Sequence, residues 1–272
     1  MLCQANRASM GKTLARPARF TGWYVIGQSL TGLLLSAILS FWLLPAFGAQ
    51  GGIWALAGFI FLATLAVRAI PSRMSTLSQS KAGRIPSSAG MIGLLMVVLY
   101  MGASLAIWAY ILPLAAASGM DQKTANITVT VGLGAQMLGG LAATYGRGWH
   151  PAKILGICAF IELASVTAMT SISFPTLFIV TGCIFCFSLT LGISFFIPFL
   201  EVLDPSRLAG TFCGGAQLLG QSFGVYCASI MVGSIGIPGA GYTGIAMLLS
   251  VMVTIALSTA YRSRVKDDHI SV

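Results

Sequence analysis

No charged residue lies between Arg19 and Arg68. A stretch of this length and polarity is typical of membrane-spanning helices, which need about 20 apolar residues each. It predicts two spans, at residues 20–44 and 52–70, joined by a short turn that contains Pro45 and a run of glycines. Of all 272 residues, 57% are hydrophobic and 8% are charged, whereas about 25% are charged in soluble domains. We therefore predict an all-α, polytopic membrane helix bundle.

Six more apolar segments follow, which brings the predicted number of membrane-spanning helices to eight. Polar segments divide the chain into a cytoplasmic tail (1–19), two spans (20–70), a basic, serine-rich cytoplasmic linker (71–89), a six-helix region (90–261) and a second cytoplasmic tail (262–272). The six later spans are predicted at residues 90–114, 124–144, 154–172, 176–200, 205–233 and 241–261.

The basic residues orient these predicted spans. With both termini in the cytoplasm, fourteen of the fifteen Lys and Arg residues lie on the cytoplasmic side, and only Lys123 lies outside. Short cytoplasmic loops carry an excess of Lys and Arg. A missed or an additional span would mix the two sides, so the separation supports the number of spans. We expect an integral protein of a bacterial inner membrane, with the lipid bilayer as its first partner.

Composition argues against other classes of protein. The net charge of +9 does not indicate nucleic acid binding, because the basic residues are scattered among apolar runs and form no stripe. The six cysteines lie in the amino-terminal tail or in apolar runs without histidine at ligand spacing, so neither disulfides nor a metal site is expected. Cys183-x-x-Cys186 matches a redox motif by its letters, but helix packing explains it better. No cofactor is expected.

Residues 220–224 spell G-x-S-x-G, a motif of hydrolase nucleophiles. A serine nucleophile needs a base within hydrogen-bonding reach. The two histidines, His150 and His269, lie in polar segments at or beyond the cytoplasmic surface. We therefore expect no enzyme activity.

A sequence repeat links the two ends of the chain. Pro205-x-Arg207-x-x-Gly210, followed by Gly220, repeats Pro17-x-Arg19-x-x-Gly22, followed by Gly32, at an interval of 188 residues. Each copy opens a long apolar helix. An interval of this length fits a bundle of about six spans with its connections.

The segment that opens the later copy carries charge. Asp204 is predicted to cap the following helix, because its carboxylate can accept free N–H groups and Pro205 suits the first helical position. Arg207 meets the positive end of the helix dipole, so it should lean on Asp204 or Glu201. The cluster either gates a cytoplasmic opening or has a purely structural role.

Glutamine accompanies small residues on three predicted spans. Gln217 and Gln221 share a face of the seventh span with small residues, and Gln28 and Gln136 lie on similar stripes. Such faces allow helices to approach closely. The alternative is that the four glutamines line a solvated substrate pathway, because an amide turned toward lipid is unfavourable.

Glu162 is the one ionisable residue well inside a predicted span. Carboxyl groups in membranes are functional candidates, and we consider Glu162 a candidate for proton coupling. The alternative is a protonated glutamic acid that hydrogen-bonds to a neighbouring helix and braces the bundle.

Four aromatic residues allow two interpretations. They either line a site for amphiphilic solutes or anchor the spans at the membrane interface, where Trp and Tyr are common. They are Tyr100, Trp108, Tyr110 and Tyr226. The substrate itself is not predicted by the sequence.

The chain resembles the major facilitator superfamily of secondary transporters in four features. They are the repeat, the basic linker, the separation of charges and the loop after the fourth span. The family pattern G-x-L-A-D-R-x-G-R-R/K is similar to residues 139–148, where five positions match. Ala143 and Thr144 replace the family's Asp and Arg, and Gly148 replaces its last basic residue. Arg147 is one of the matching positions, which adds it to the gate or structural group. The resemblance extends over residues 17–262.

The resemblance implies a fold of twelve spans in two six-span halves. It also implies transport of a small organic solute, with protons as a candidate coupling ion. The eight spans would match the family's fifth to twelfth, so we expect the first four to be missing and the chain to be an incomplete form. The alternative is a non-transporting membrane protein, either a remnant or an assembly partner.

Overall fold

The computed structural model describes residues 42–67, 85–146, 148–171 and 173–270, together with residues 27, 30–32, 34, 35 and 38. Most of the first predicted span, the tail at 1–19 with the first copy of the repeat, most of the linker, Gln28 and Arg147 therefore lie outside the described residues. The chain divides into two compact units, residues 28–82 and residues 83–272 with 1–27.

In the smaller unit, helix α1 (Leu44–Val67) runs through the predicted turn between the first two spans. Two helical segments of α1 meet inside that predicted turn, at a kink that is limited to Gly48. The backbone is helical there except at Gly48, where φ is 64° and ψ is −169° and the helix bends. Glycine adopts a positive φ without strain, and Pro45 lies in the first turn, where a missing N–H breaks no helical hydrogen bond. The described apolar part of α1, Gln50–Leu62, overlaps the second predicted span.

All secondary structure described in the larger unit is helical. Six of these helices are long and apolar enough to cross a membrane, which confirms a polytopic helical bundle in this part of the chain. They are α2 (Ser88–Ala109), α4 (Gln122–Tyr145), α5 (Pro151–Ser171), α6 (Pro175–Ser194), α8 (Leu208–Ile235) and α9 (Pro238–Ile270). The short helices α3 (Ile111–Ala117) and α7 (Phe196–Leu203) complete the series. The apolar part of α9 ends at Thr259, and the helix continues into the predicted tail, where residues 262–270 contain no glycine or proline.

The third and sixth predicted spans are each broken into a long and a short helix. Tyr110 separates α2 from α3, and Phe195 separates α6 from α7. A proline follows three residues after each break, Pro113 in the first case and Pro198 in the second. Proline has no N–H for the carbonyl four residues earlier, and its ring collides with that carbonyl. In both cases that carbonyl belongs to the last residue of the long helix, so the helix ends there.

The eight helices of the larger unit form two copies of one order, long, short, long and long. Repeat A is α2–α5 (residues 88–171), and repeat B is α6–α9 with residues 175–259. One offset of 85 residues relates Tyr110 to Phe195 and Pro113 to Pro198, and it also relates the first residue of α3 to that of α7. Each repeat contains three helices that are long and apolar enough to cross a membrane. A chain that crosses with all three enters repeat B from the side opposite to that from which it enters repeat A, and repeats related in this way are inverted.

The most extensive helix contacts follow the same exchange of A and B. Helix α2 packs on α8 as α6 packs on α4, and α2 packs on α9 as α6 packs on α5, while α5 and α9 pack on each other. The helices α2 and α6 are the most enclosed, with 61% and 50% of their apolar windows buried. The corresponding shares are 28% for α4 and 17% for α8. The two helices α4 and α8 thus have the largest unpacked faces.

Glycines bring the paired helices into backbone contact. A Cβ on Gly224 of α8 would overlap the backbone of Gly102 in α2, and a Cβ on Gly139 of α4 would overlap the carbonyl group of Phe187 in α6. The two contacts are equivalent. Gly139 and Gly224 are 85 residues apart, and so are Gly102 and Phe187. Small residues permit this approach between membrane helices.

Candidate functional site

Glu162 lies near the middle of α5 and has no exposed surface. The buried residues of α5 recur every three or four positions along one helix face. That face contains Leu155, Cys158, Glu162, Ser165, Val166 and Met169. The carboxyl group therefore points into the bundle and away from lipid.

Both carboxyl oxygens of Glu162 have hydroxyl donors on α2. The hydroxyl of Tyr100 donates to Oε1, and the hydroxyl of Ser104 donates to Oε2 at 2.9 Å. Tyr100 and Ser104 are one helical turn apart and, like Glu162, have no exposed surface. We refer to Tyr100, Ser104 and Glu162 as the carboxyl triad.

Each hydroxyl of the carboxyl triad also has a second acceptor on the backbone. Ser104 Oγ lies 2.9 Å from the carbonyl oxygen of Tyr100, and Tyr100 Oη lies 3.3 Å from the carbonyl oxygen of Ser188 in α6. A hydroxyl has one hydrogen to donate. The triad thus joins α2, α5 and α6 through hydroxyls that can each turn to either of two acceptors.

Tyr100 fits this position because its neighbours leave room for it. A Cβ on Gly192 would overlap the tyrosine hydroxyl, and the ring packs edge-on against Phe196 with 5.2 Å between centroids. Tyr100 is completely buried, so of the two interpretations given for the aromatic residues, the interfacial anchor does not apply to Tyr100. Its pairing with Glu162 was missed, because the two residues are 62 positions apart. The available signal was a tyrosine and a serine spaced by four on one apolar helix.

Gln136 and Gln221 occupy equivalent positions on α4 and α8, because their numbers differ by 85. Both side chains are half-buried. The bundle thus places two of the predicted pathway residues on the two helices with the largest unpacked faces.

The small-residue stripe predicted on α8 covers two different faces. Gly220 and Gly224 contact α2, whereas a Cβ on Gly214 would meet no other atom within 4 Å. Gln217 is half-buried, and its amide nitrogen lies 3.4 Å from Cys213 Sγ on the same helix. Gln217 thus lies on the packing face, in line with Cys213 and Gly220, whereas Gln221 lies at the edge of that face.

Asp204 lies between α7 and α8 and is 1% exposed. The expectation that it directly precedes the helix is wrong, because α8 begins at Leu208 and the preceding residue is Arg207, with a φ of 61°. The Asp204 carboxylate still accepts the N–H of Ala209 at 3.0 Å. It therefore satisfies a donor in the first turn of α8 from outside the helix.

Further donors fix the ionisation of Asp204. Burial raises the pKa of its carboxyl, but hydrogen bonds from Ala209, Ser206 and Ser87 outweigh burial and leave this pKa below the ordinary value of 3.8. Because Ser87 precedes α2, the carboxylate connects the starts of α2 and α8.

The expected partner of Asp204 is not found. Arg207 is exposed, and no ion pair joins it to Asp204 or Glu201 in the described part of the chain. Glu201 is half-buried on α7. The Asp204 carboxylate is instead paired with the hydrogen-bond donors of Ser206 and Ala209.

Chemically, the carboxyl triad can hold and release a proton. Among the residues described, no three His, Cys, Asp or Glu side chains are grouped as a metal site would require. Every buried polar side-chain atom in the described ranges has a hydrogen-bond partner. No protein-family model matches the chain, and no curated protein matches it.

Proposed function

We propose that the chain is a secondary transporter of the major facilitator type, which moves a small organic solute and uses protons as its coupling ion. The inverted pair of repeats carries this proposal. Inverted repeats recur in secondary transporters, whose substrates bind near the middle of the bilayer at the repeat interface. The similarity of residues 139–148 to the family loop pattern adds support.

Equivalent glutamines support a pathway. Gln136 and Gln221 lie on the helices whose faces are least packed. An amide that faced lipid would have no partner for its donors and acceptors. We therefore assign both residues, with Gln217 and Gln28, to a water-accessible surface that contacts the solute.

Charged groups complete the proposed machinery. Glu162 is assigned to proton coupling, because carboxyl groups buried in membrane helices mark proton paths. Asp204 holds the starts of α2 and α8 together, and we assign it, with Glu201, Arg207 and Arg147, to a gate at the cytoplasmic end. Both termini then lie in the cytoplasm, and the membrane is a bacterial inner membrane.

Accessibility to water tests the pathway without knowledge of the solute. Single cysteines at Gln136 and Gln221, in a background without native cysteines, should react with a small water-soluble thiol reagent in membranes. A cysteine at Leu218, which is 66% exposed on α8, should react slowly because lipid covers it. Equal reaction at all three positions would remove the pathway and favour the alternative, a non-transporting membrane protein.

Transport itself is tested in proteoliposomes that contain the chain and a trapped pH-sensitive dye. A panel of small organic cations, anions and neutral amphiphiles is added under an imposed proton gradient. We expect at least one solute to move protons, and Gln136→Ala or Gln221→Ala to weaken that response at least tenfold. Gln122→Ala, at the exposed start of α4, is the matched control and should respond fully. If no solute class moves protons, the transport proposal fails.

Orientation is tested separately. Cysteines at Gln122 and His150, both exposed, lie at opposite ends of the membrane according to the distribution of charges. An impermeant thiol reagent should label the first and spare the second in intact cells. Labelling of both positions would contradict the proposed orientation.

A further inference from the structure

We propose that Tyr100 and Ser104 form a proton-binding site with Glu162, in which one of the two hydroxyl hydrogens changes acceptor when the carboxyl gains or loses its proton. The idea rests on the proposed function, because it identifies how the coupling ion is held. Tyr100 and Ser104 are positioning residues here, since they act through Glu162.

In the ionised state the carboxylate only accepts hydrogen bonds. Both hydroxyls then turn to it, Tyr100 to Oε1 and Ser104 to Oε2. The backbone carbonyls of Tyr100 and Ser188 lose these side-chain donors but keep a second role as helical acceptors. The negative charge is therefore held by two donors without a bound cation.

In the protonated state one carboxyl oxygen carries the hydrogen and can donate it to the neighbouring hydroxyl. That hydroxyl now accepts, and its own hydrogen turns to the backbone. For Ser104 the new acceptor is the carbonyl of Tyr100, at 2.9 Å. For Tyr100 it is the carbonyl of Ser188, at 3.3 Å. A proton leaves a hydronium ion of the surrounding water and forms one O–H bond on Glu162. No other covalent bond changes, so every polar group stays paired in both states.

The surroundings of Glu162 favour a proton over a metal cation as the ligand. The titratable groups that act on it are Tyr100 of α2, Cys158 of α5 and Cys186 of α6. Of the other helices packed on α5, α7 carries Glu201 and the described side chains of α9 include Tyr242, and neither hydrogen-bonds to it. No Lys, Arg or His side chain in the described ranges pairs with the carboxylate. A metal cation would need several free oxygen lone pairs, whereas both oxygens here already face hydroxyl hydrogens.

Repeat B shows that packing does not require this polar group. The positions equivalent to Glu162, Tyr100 and Ser104 hold Met247, Phe185 and Leu189, all buried in the apolar core. Apolar side chains therefore fill the equivalent places in the same fold. If Glu162 only braced helices, an apolar side chain such as that of Met247 would be sufficient. Bracing alone therefore does not explain why repeat A has a carboxyl with two hydroxyl donors.

The test is infrared titration of the full chain in lipid nanodiscs. The chain has two glutamates, Glu162 and Glu201, so carbon-13 glutamate in a Glu201→Gln background labels Glu162 alone. We expect its carboxyl band to appear and disappear with pH while the protein stays folded. Tyr100→Phe and Ser104→Ala should each hold the proton about tenfold more tightly, because the ionised form loses a donor to a charged group.

Ser188→Ala is the matched control for Ser104→Ala. Ser188 is equally buried, but its hydroxyl donates to carbonyls of its own helix. The variant keeps the backbone carbonyl of residue 188, which is the second acceptor for the Tyr100 hydroxyl. Its titration should equal that of the parent. A band that does not titrate, or midpoints that agree in all variants, would overturn the proposal. Neither readout needs a solute, so a titrating site without transport would refute the proposed function alone, and transport without titration would refute this inference alone.

Discussion

Repeats A and B share their architecture and differ in their polar groups. Both have a proline-broken first span, and both have a glycine contact at the same place in the offset. Only repeat A buries a carboxyl triad, and only repeat B has a buried aspartate, Asp204, beside its second long helix. The shared features are those that packing needs. The features that differ are therefore the ones to test for function.

The largest effect should come from breaking what the repeats share. Gly139→Leu and Gly224→Leu each force a side chain into a neighbouring backbone, so each should lower the free energy of unfolding by about 3 kcal/mol or more. Unfolding is measured in mixed micelles by titration with denaturing detergent. Gly214→Leu, where the space is open, is the control and should change stability little. A stable Gly224→Leu would mean that the two backbones are not in contact.

The next effect comes from placing the chemistry of repeat A in repeat B. Met247→Glu buries a carboxyl at a position whose equivalents of Tyr100 and Ser104 are Phe185 and Leu189, which offer no hydroxyl. We expect a loss of about 2–3 kcal/mol in the free energy of unfolding. Adding both donors, by Phe185→Tyr and Leu189→Ser, should recover part of that loss. No recovery would show that the two sites are not equivalent.

Substitution of the two aspartates near helix starts should change stability less than the substitutions above, and the two changes should differ in size. Asp204→Ala should lose about 1 kcal/mol of stability near pH 7, as expected for a lost helix cap. Asp121 caps α4 at the exposed surface, where it accepts the N–H of Thr124 at 2.9 Å, so Asp121→Ala should lose less.

The effect of Asp204 should depend on pH in a defined direction. Its pKa in the folded protein lies below the ordinary value of 3.8, so ionised Asp204 stabilises the fold at pH values above that value. The contribution falls as the pH drops through the lowered pKa. Melting curves of the parent and of Asp204→Ala should therefore converge as the pH falls below 3.8. A constant difference across this range would contradict the assignment.

The smallest effect on stability should come from replacing Glu162 of repeat A with methionine, the residue at the equivalent position of repeat B. In Glu162→Met, the hydroxyls of Tyr100 and Ser104 keep their backbone acceptors, so no donor is left unpaired. The free energy of unfolding should change by less than about 1 kcal/mol, while proton-driven transport is lost. A change above about 3 kcal/mol would make Glu162 a structural brace.

Helices of the larger unit could be predicted closely from the sequence, because hydropathy and charge alone identify long apolar segments. The breaks after α2 and α6 were also readable, since Pro113 and Pro198 mark them. The offset of 85 residues between repeats A and B was harder to detect in the sequence, because few equivalent positions hold identical residues, as Gln136 and Gln221 do.

The candidate site could be predicted only in part. Glu162 was identifiable from its charge inside an apolar run. Its partners depend on which faces of α2 and α5 meet, and a single helix pattern does not contain that information. The start of α8 was predicted about one turn too early, because Asp204-Pro205 matches a capping pattern whereas α8 begins at Leu208.

The order of the carboxyl triad along the chain has a consequence for biosynthesis. Tyr100 and Ser104 precede Glu162 by 62 and 58 residues, so α2 leaves the ribosome before α5. When the carboxyl enters the lipid, both of its donors are already there, and repeat A can pair its buried carboxyl before repeat B is complete. With the triad in the opposite order, the ribosome would deliver a lone acid to the bilayer and only later its partners.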